Sequence, residues 1–167
     1  MYRLMHRDTM LIRPAIAKDR PHLEAMVREC GAFTDAEIAV AMELIDHHLD
    51  GTDPDYLVAC AAHSNDSPVG YICYGPVPKE DGAYDLYWIV VAPSHQRQGI
   101  GHLLLKWLEK EMKLVGAHTL RAETASKPHY AGQRLFYAAE GFNEIARQKD
   151  FYAPGDDKVI YEKIIPS

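Results

Sequence analysis

The chain has 167 residues, 47% of them apolar and 25% charged, which is ordinary for a soluble globular protein and enough to bury roughly two-thirds of its unfolded surface in one domain, residues 1–167. The formal net charge of -6 argues against a nucleic-acid backbone as the main partner, because such binders carry a basic face. No apolar run approaches membrane-spanning length, and the segment Met1 to Met10 is too interrupted by Arg3, His6, Arg7 and Asp8 for a signal peptide. The expectation is a cytoplasmic protein with three reduced, mostly buried cysteines, Cys30, Cys60 and Cys73. The sequon Asn65-Asp66-Ser67 reads as a chance match without an export signal.

In chain order, Met10 to Arg13 is a short extended run ended by Pro14. Asp19 is placed to cap a helix with Pro21 in its first turn and an apolar stripe of Leu23, Met26 and Val27, stopped by Gly31. Thr34 and Glu37 form a capping-box pattern before Ile38, Met42, Ile45 and Leu49. Tyr56 to Ala62 and Val69 to Tyr74 flank the turn-rich segment His63 to Pro68 and read as a hairpin. Ala83 to Val91 follows, apolar on both faces from Leu86, as in a central strand covered on each side.

Ile100, Leu104, Leu108, Met112 and Val115 predict a long amphipathic helix ending at Gly116. His118 to Thr124 is a strand and Pro128 to Glu140 a helix stopped by Gly141. Phe142 to Phe151 and Lys158 to Ile164 are strands joined by Ala153 to Asp157. The order β-α-α-β-β-β-α-β-α-β-β gives a mixed α/β sheet with no linker to divide it.

Between the central strand and the long helix lies Gln96-Arg97-Gln98-Gly99-Ile100-Gly101. Amides at a helix start lack intrahelical partners, and the helix dipole favours negative charge there, so such a loop suits a pyrophosphate. Gly99 and Gly101 carry no side chain to block that approach, and both can adopt positive φ. A G-x-G alone is equally a tight turn before a helix. It lacks the third glycine of a dinucleotide fingerprint and the Gly-Lys-Ser/Thr of a nucleotide P-loop.

The stretch Leu86 to Leu105, with Val91-Ala92-Pro93 and then Gln96-x-x-Gly99-x-Gly101, resembles the acetyl-CoA-binding motif of the GNAT acetyltransferase superfamily. Downstream, Phe136-Tyr137-Ala138-Ala139-Glu140-Gly141-Phe142 resembles that family's Leu/Phe-Tyr-x-x-x-Gly-Phe. The resemblance covers nearly the whole chain. It implies the GNAT acyl-CoA N-acyltransferase fold, a mixed, mostly antiparallel seven-stranded sheet with four helices. It also implies acetyl-CoA as co-substrate, and it admits a homodimer.

Carried over by position, the resemblance makes Gln98, Gly99, Ile100, Gly101 and His102 amide donors to the pyrophosphate, in the loop opened by Gln96 and Arg97. Ile89 and Val91 then offer backbone groups to the pantetheine arm. Tyr137 matches the tyrosine that protonates the departing thiolate, a role suited to a phenol with an ordinary pKa near ~10; a core aromatic is its alternative reading. Where the family often has Asn-x-x-Ala before that tyrosine, this chain has Tyr130 and Gln133, so Gln133 or Arg134 is the candidate replacement for the asparagine contact.

Acetylation needs a neutral amine, hence a base. Asp85 on the central strand and Glu123 near the end of the next are ranked nearly equal, with a hydrogen-bonded strand-end carboxylate as the alternative for either. For the acceptor, Phe33 in the loop between the first two helices and Tyr152 and Asp156 in the last hairpin are candidate contacts, although the hairpin residues read equally as a solvated turn. The ending Asp150-Phe151-Tyr152-x-Pro154-Gly155-Asp156-Asp157 resembles that of a bacterial subgroup of the family.

A small-molecule amine such as a free amino acid, D-alanine included, is the favoured acceptor. A protein N-terminus or lysine is one alternative, and a CoA-sensing module without catalysis is the alternative of another class. The nine histidines show no metal-ligand spacing; His47 and His48 are adjacent and face different ways on a helix. No metal is expected, and His129 is a weak candidate for substrate contact.

Overall fold

The computed structural model describes residues 10–63 and 67–167. The expectations about the leading segment, the sequon and the centre of the 63–68 turn therefore fall outside the described residues. The elements are β1 (Leu11–Pro14), α1 (Arg20–Glu29), α2 (Asp35–Asp50), β2 (Leu57–Ala62), β3 (Pro68–Pro76), β4 (Ala83–Val91), α3 (Ile100–Leu114), β5 (Thr119–Ala125), α4 (Ala131–Ala139), β6 (Asn143–Ala153) and β7 (Asp156–Ile164). They build one seven-stranded sheet in the order β1-β2-β3-β4-β5-β7-β6. Only β4 and β5 run parallel, because α3 carries the chain back across the sheet between them.

Alternation along the inner strands divides the core into two layers. Val58, Cys60, Tyr71, Cys73 and Val90 pack under α1 and α2 with Leu23, Val27 and Ile45. Ala59, Ala61, Ile72, Leu86 and Leu120 pack on the other face with Leu104, Leu108 and Met112 of α3 and Tyr137 of α4. Thr34 caps α2 as its pattern predicts, accepting from the Glu37 N–H at 3.2 Å while Glu37 accepts from the Thr34 N–H at 3.3 Å.

Several local expectations are corrected. Asp19 makes no side-chain cap for α1. It is buried and accepts from Arg13 at 2.7 and 2.9 Å and from the Ile16 N–H at 2.8 Å, since a guanidinium offers a stronger, charge-assisted partner. Val115 lies beyond the end of α3 and is exposed. Pro128 to Tyr130 form a separate 3₁₀ turn before α4. The last two strands run on to Ala153 and from Asp156, leaving Pro154-Gly155 as the turn.

The feature that positions the site lies in β4. Trp88 pairs with Cys73 and Leu86 with Tyr74, so Tyr87 is an extra residue, a β-bulge. Tyr87 and Trp88 consequently both pack toward α1 and α2, while Leu86 and Ile89 pack toward α3. The parallel ladder to β5 ends at the same place, at Leu86↔Ala122. Beyond it the central strand departs from β5 and is only half-buried at Trp88, Ile89 and Val91, rather than covered on both faces as its composition predicts.

Candidate active site

The gap between β4 and β5 leads to the glycine loop. Pro93 opens a 3₁₀ turn, and the loop then places Arg97 at φ 61° and Gly99 at φ 79° on either side of Gln98. Left-handed residues interleaved with ordinary ones curl a backbone so that successive N–H groups converge, which makes an anion-binding concavity. The first helical bond of α3 runs from the Leu103 N–H to the Gly99 carbonyl at 3.0 Å. The amides of Ile100, Gly101 and His102 in the turn before it have no intrahelical acceptor and face the loop. Gln96, Arg97, Gln98 and Gly99 are exposed, and Gln96 Nε2 donates to the Val91 carbonyl at 3.3 Å, tying the loop to the end of β4. The side chain of His102 turns away and meets Glu140 at 2.8 Å.

Gly101 departs from expectation. Its φ is not positive, and it sits within the first turn of α3. A Cβ there would stand 3.3 Å from Cε2 of Phe136 and 3.8 Å from Cγ2 of Ile89. Its role is close approach: it lets α4 and β4 pack against the start of α3.

Tyr137 is in the middle of α4 and buried among Phe136, Phe142 and Tyr161, with ring centroids 5.9, 5.2 and 5.5 Å away. Burial, with Tyr161 beside it, pushes its phenol well above the usual range and keeps it protonated at neutral pH. Gln133 precedes it by one helical turn. Its Oε1 is buried with no hydrogen-bond partner among the described residues. Arg134 is committed elsewhere, donating from Nη1 to the Ala125 and Lys127 carbonyls at 2.6 and 2.9 Å. Of the two candidate replacements for the asparagine contact, Gln133 is the one with a buried polar atom left without a partner among the described residues.

These features fit acetyl-CoA as the bound group. The converging amides suit a pyrophosphate, the half-buried β4 edge at Ile89 and Val91 suits an extended arm, and the orphaned Gln133 oxygen calls for a donor. Among the described residues, no three His, Cys, Asp or Glu side chains gather to hold a metal.

On the opposite face of the sheet the candidate bases come together. Asp85 lies beside Arg121 in the β4–β5 register, and Glu123 is two residues further along β5. Burial raises the Asp85 pKa, the Glu123 charge raises it further, and Arg121 lowers it. Arg121 was not anticipated as part of the site, although alternation along β5 puts it on the face of Glu123. It is held by Glu80 at 2.6 and 2.7 Å and Glu162 at 3.0 Å. Glu123 is half-exposed and 3.3 Å from Lys158, whose ammonium lies 4.4 Å over the Phe151 ring.

Of the three acceptor candidates, Phe33 stands edge-on to Trp88 at 5.7 Å, beneath α1 and α2. Tyr152 is exposed and stands close enough to Glu123, Asp156, Tyr130 and Glu37 to feel their charges. Asp156 is buried, accepts from the Lys127 N–H at 3.3 Å and lies 3.7 Å from its ammonium, so it ties the chain after β5 to β7. Tyr130, the residue at the asparagine position, has its phenol pushed up by burial first and then by the charges of Glu37, at the start of α2, and Asp156. Glu37 had signalled only a helix cap, and Tyr130 only a departure from a motif. His129 is exposed and edge-on to Tyr130 at 5.1 Å.

The model of the Acetyltransferase (GNAT) family matches residues 22–142. The chain belongs to that family. A crystal structure of a GNAT-family protein from Desulfovibrio desulfuricans is 39% identical, with a TM-score of 0.89, over 95% of this chain and 100% of that one. The ribosomal protein bS18-alanine N-acetyltransferase of Escherichia coli K12 is 34% identical over 73 residues, 44% of this chain and 48% of that protein. The chain thus matches about half the length of that curated relative. The ribosomal-protein-alanine N-acetyltransferase of Brucella melitensis is 26% identical, with a TM-score of 0.69, over 92% and 99% of the two chains. Among the described residues, no helix is long and apolar enough to cross a membrane.

Proposed function

We propose that this GNAT-family member is an acetyl-CoA-dependent N-acetyltransferase acting on a cationic primary amine by direct attack. The observation that carries the reading is the parting of β4 from β5 at Leu86↔Ala122, with the α3 amides at its far end. When bound, acetyl-CoA supplies the thioester carbonyl. Glu123 or Asp85 takes a proton from the acceptor ammonium, directly or through water, so that nitrogen has a free electron pair. As the C–N bond forms and the C–S bond breaks, Tyr137 gives its proton to the sulfur, and the nitrogen sheds its second proton, which returns through water to the phenolate. Burial keeps that phenol protonated at neutral pH but makes it a weaker acid than the ordinary tyrosine that the sequence suggests.

For the acceptor, a small amine such as a free amino acid is one reading and a peptide or protein amine the other. Glu123, Phe151 and Tyr152 are each about half exposed, at 52%, 52% and 49%. That openness favours the peptide reading, because small ligands are usually enclosed over most of their surface. The relatives named for ribosomal-protein alanine support the same choice. Glu37, Asp85 and Glu123 line this side, with Arg121 beside Asp85 and Lys158 beside Glu123, so an ammonium group would compete with those cations for the carboxylates.

The test is CoA release from acetyl-CoA with a panel of peptides of varied N-terminus, free D- and L-amino acids, and simple amines. Turnover restricted to peptides establishes the acceptor proposed here. Turnover on free amino acids establishes the other, and CoA binding without turnover on any amine overturns the catalytic reading.

A further inference from the structure

Lys158 stands on β7 opposite Ala125 of β5, and Glu123 stands opposite Ile160. Alternation puts 123 and 125 on one side of β5 and 158 and 160 on the same side of β7, so the lysine and the glutamate share a face of the sheet. The Lys158 ammonium is 3.3 Å from the Glu123 carboxylate and 4.4 Å over the Phe151 ring. Its side chain is only 16% exposed, against 52% for Glu123. The cation is held from within the sheet while its partner faces the acceptor.

The other charges nearby are already matched. Arg121 has Glu80 and Glu162, Lys127 has Asp156, and Arg147 has Glu144 and Asp157. Among the described residues, Glu123 is the carboxylate within ion-pair distance of Lys158. An incoming acceptor disturbs that pair. Its ammonium binds to Glu123 or gives it a proton, and either event takes negative charge from beside Lys158. A mostly buried ammonium without its counter-ion is costly, and the half-exposed Phe151 ring offsets only part of that cost.

The group that restores the balance is an anion carried by the acceptor itself. We propose that Lys158 is an acceptor-specificity residue whose ammonium takes a carboxylate close to the reacting amine, so that the preferred peptide has an acidic first or second residue. Enzyme and substrate then exchange ion pairs, the acceptor ammonium going to Glu123 and its carboxylate to Lys158. The α-carboxylate of a free amino acid offers the same chemistry from another source. This rests on the reading of the chain as an N-acetyltransferase that receives its acceptor at Glu123.

Initial rates of CoA release from acetyl-CoA test it on the whole chain with matched acceptors. These are peptides identical except for aspartate, asparagine or lysine at the first or the second position, and free alanine beside alaninamide. In the parent, kcat/KM should be about tenfold higher for aspartate than for asparagine, the scale of one charge-assisted hydrogen bond, and lowest for lysine. The preference should shrink in high salt. Lys158→Met, which keeps an unbranched stem over Phe151, should bring aspartate and asparagine within about twofold of each other, while Lys158→Arg should keep the preference. A parent that treats the two alike, or a preference that survives Lys158→Met, overturns the assignment. If Lys158→Met does not fold, the ratios in the parent and in Lys158→Arg decide: both must favour aspartate. Acetylation of alanine but not alaninamide, with the peptides inert, keeps the ion-pair exchange and overturns the peptide reading. No CoA release with any acceptor overturns the catalytic reading, and this assignment with it.

Discussion

Asp85 of β4 and Arg121 of β5 stand side by side in the parallel register, one pair before the two strands separate. The guanidinium lowers the Asp85 pKa against burial and the Glu123 charge, which both raise it. A base must be ionised, so activity falls as pH drops through its folded-state pKa. If Asp85 is the base, kcat/KM in Arg121→Gln should lose its acidic limb at a higher pH than the parent, and Asp85→Asn should abolish the limb with a ~10²-fold or larger loss. A limb that stays in place in Arg121→Gln and vanishes in Glu123→Gln assigns the role to Glu123.

The same shift bears on stability. A carboxyl whose pKa is raised on folding binds its proton more tightly in the native state, so it costs stability once pH exceeds its ordinary range near ~3.9. Asp85→Asn should therefore have a higher thermal midpoint than the parent at pH 7. The gap should close as pH falls from the raised folded-state pKa to that ordinary range. Midpoints measured across pH 3 to 8 check both the sign and the window.

Tyr137→Phe removes one hydroxyl from a packed aromatic cluster and leaves its ring contacts in place. The expected result is kcat lower by about 10²-fold with CoA affinity nearly unchanged. Because burial holds the phenol above its usual range, its ionisation should contribute no alkaline limb to the parent profile. Equal turnover in the two proteins would make Tyr137 a core residue only.

Gly99 and Gly101 should respond differently to alanine. Gly99 has open space around it but φ 79°, so Gly99→Ala strains the backbone and should cost about 1–2 kcal/mol of stability while displacing the loop amides. Gly101 is helical, where alanine is favoured over glycine by about 1 kcal/mol, yet its new methyl presses on Phe136 at 3.3 Å. Gly101→Ala should thus be nearly neutral in denaturant melts but bind CoA less tightly. Equal destabilisation by the two would contradict the distinction.

That contrast shows what the sequence made legible. The order of elements was visible because the apolar runs of β2 and β3 flank a turn-rich segment, β5 alternates, and α2 and α3 repeat at helical spacing. The loop was visible as glycines at a strand-to-helix junction, but spacing cannot separate a glycine kept for positive φ from one kept for a ring packed across it. The bulge at Tyr87 has no local signal, since a run apolar on both faces hides a one-residue slip. Asp19 and Asp156 looked like a cap and a surface turn because their partners, Arg13 and Lys127, meet them only through the fold. The Tyr130–Glu37 proximity joins residues 93 positions apart and follows from topology alone.

That proximity gives the acceptor side its sharpest test. Glu37 already caps α2 through the Thr34 N–H and lies near enough to Tyr130 to act on its phenol, yet an ionised carboxylate has acceptor capacity left and keeps its charge. Tyr152 feels the charges of both Glu123 and Glu37, which brings an acidic and aromatic group together on the acceptor side. Glu37→Gln preserves the shape and the cap while removing the charge, so KM for a cationic peptide should rise several-fold with kcat little changed, and the difference should shrink in high salt. Tyr130→Phe, which leaves the Glu37 charge in place, should alter KM less. Asp156→Asn serves as the contrast: its carboxylate is buried against Lys127, so it should lower the thermal midpoint rather than act selectively on KM. If Glu37→Gln leaves KM and its salt dependence unchanged, Glu37 takes no part in recognising the amine, and Glu123 and Asp85 alone provide the negative field at the acceptor.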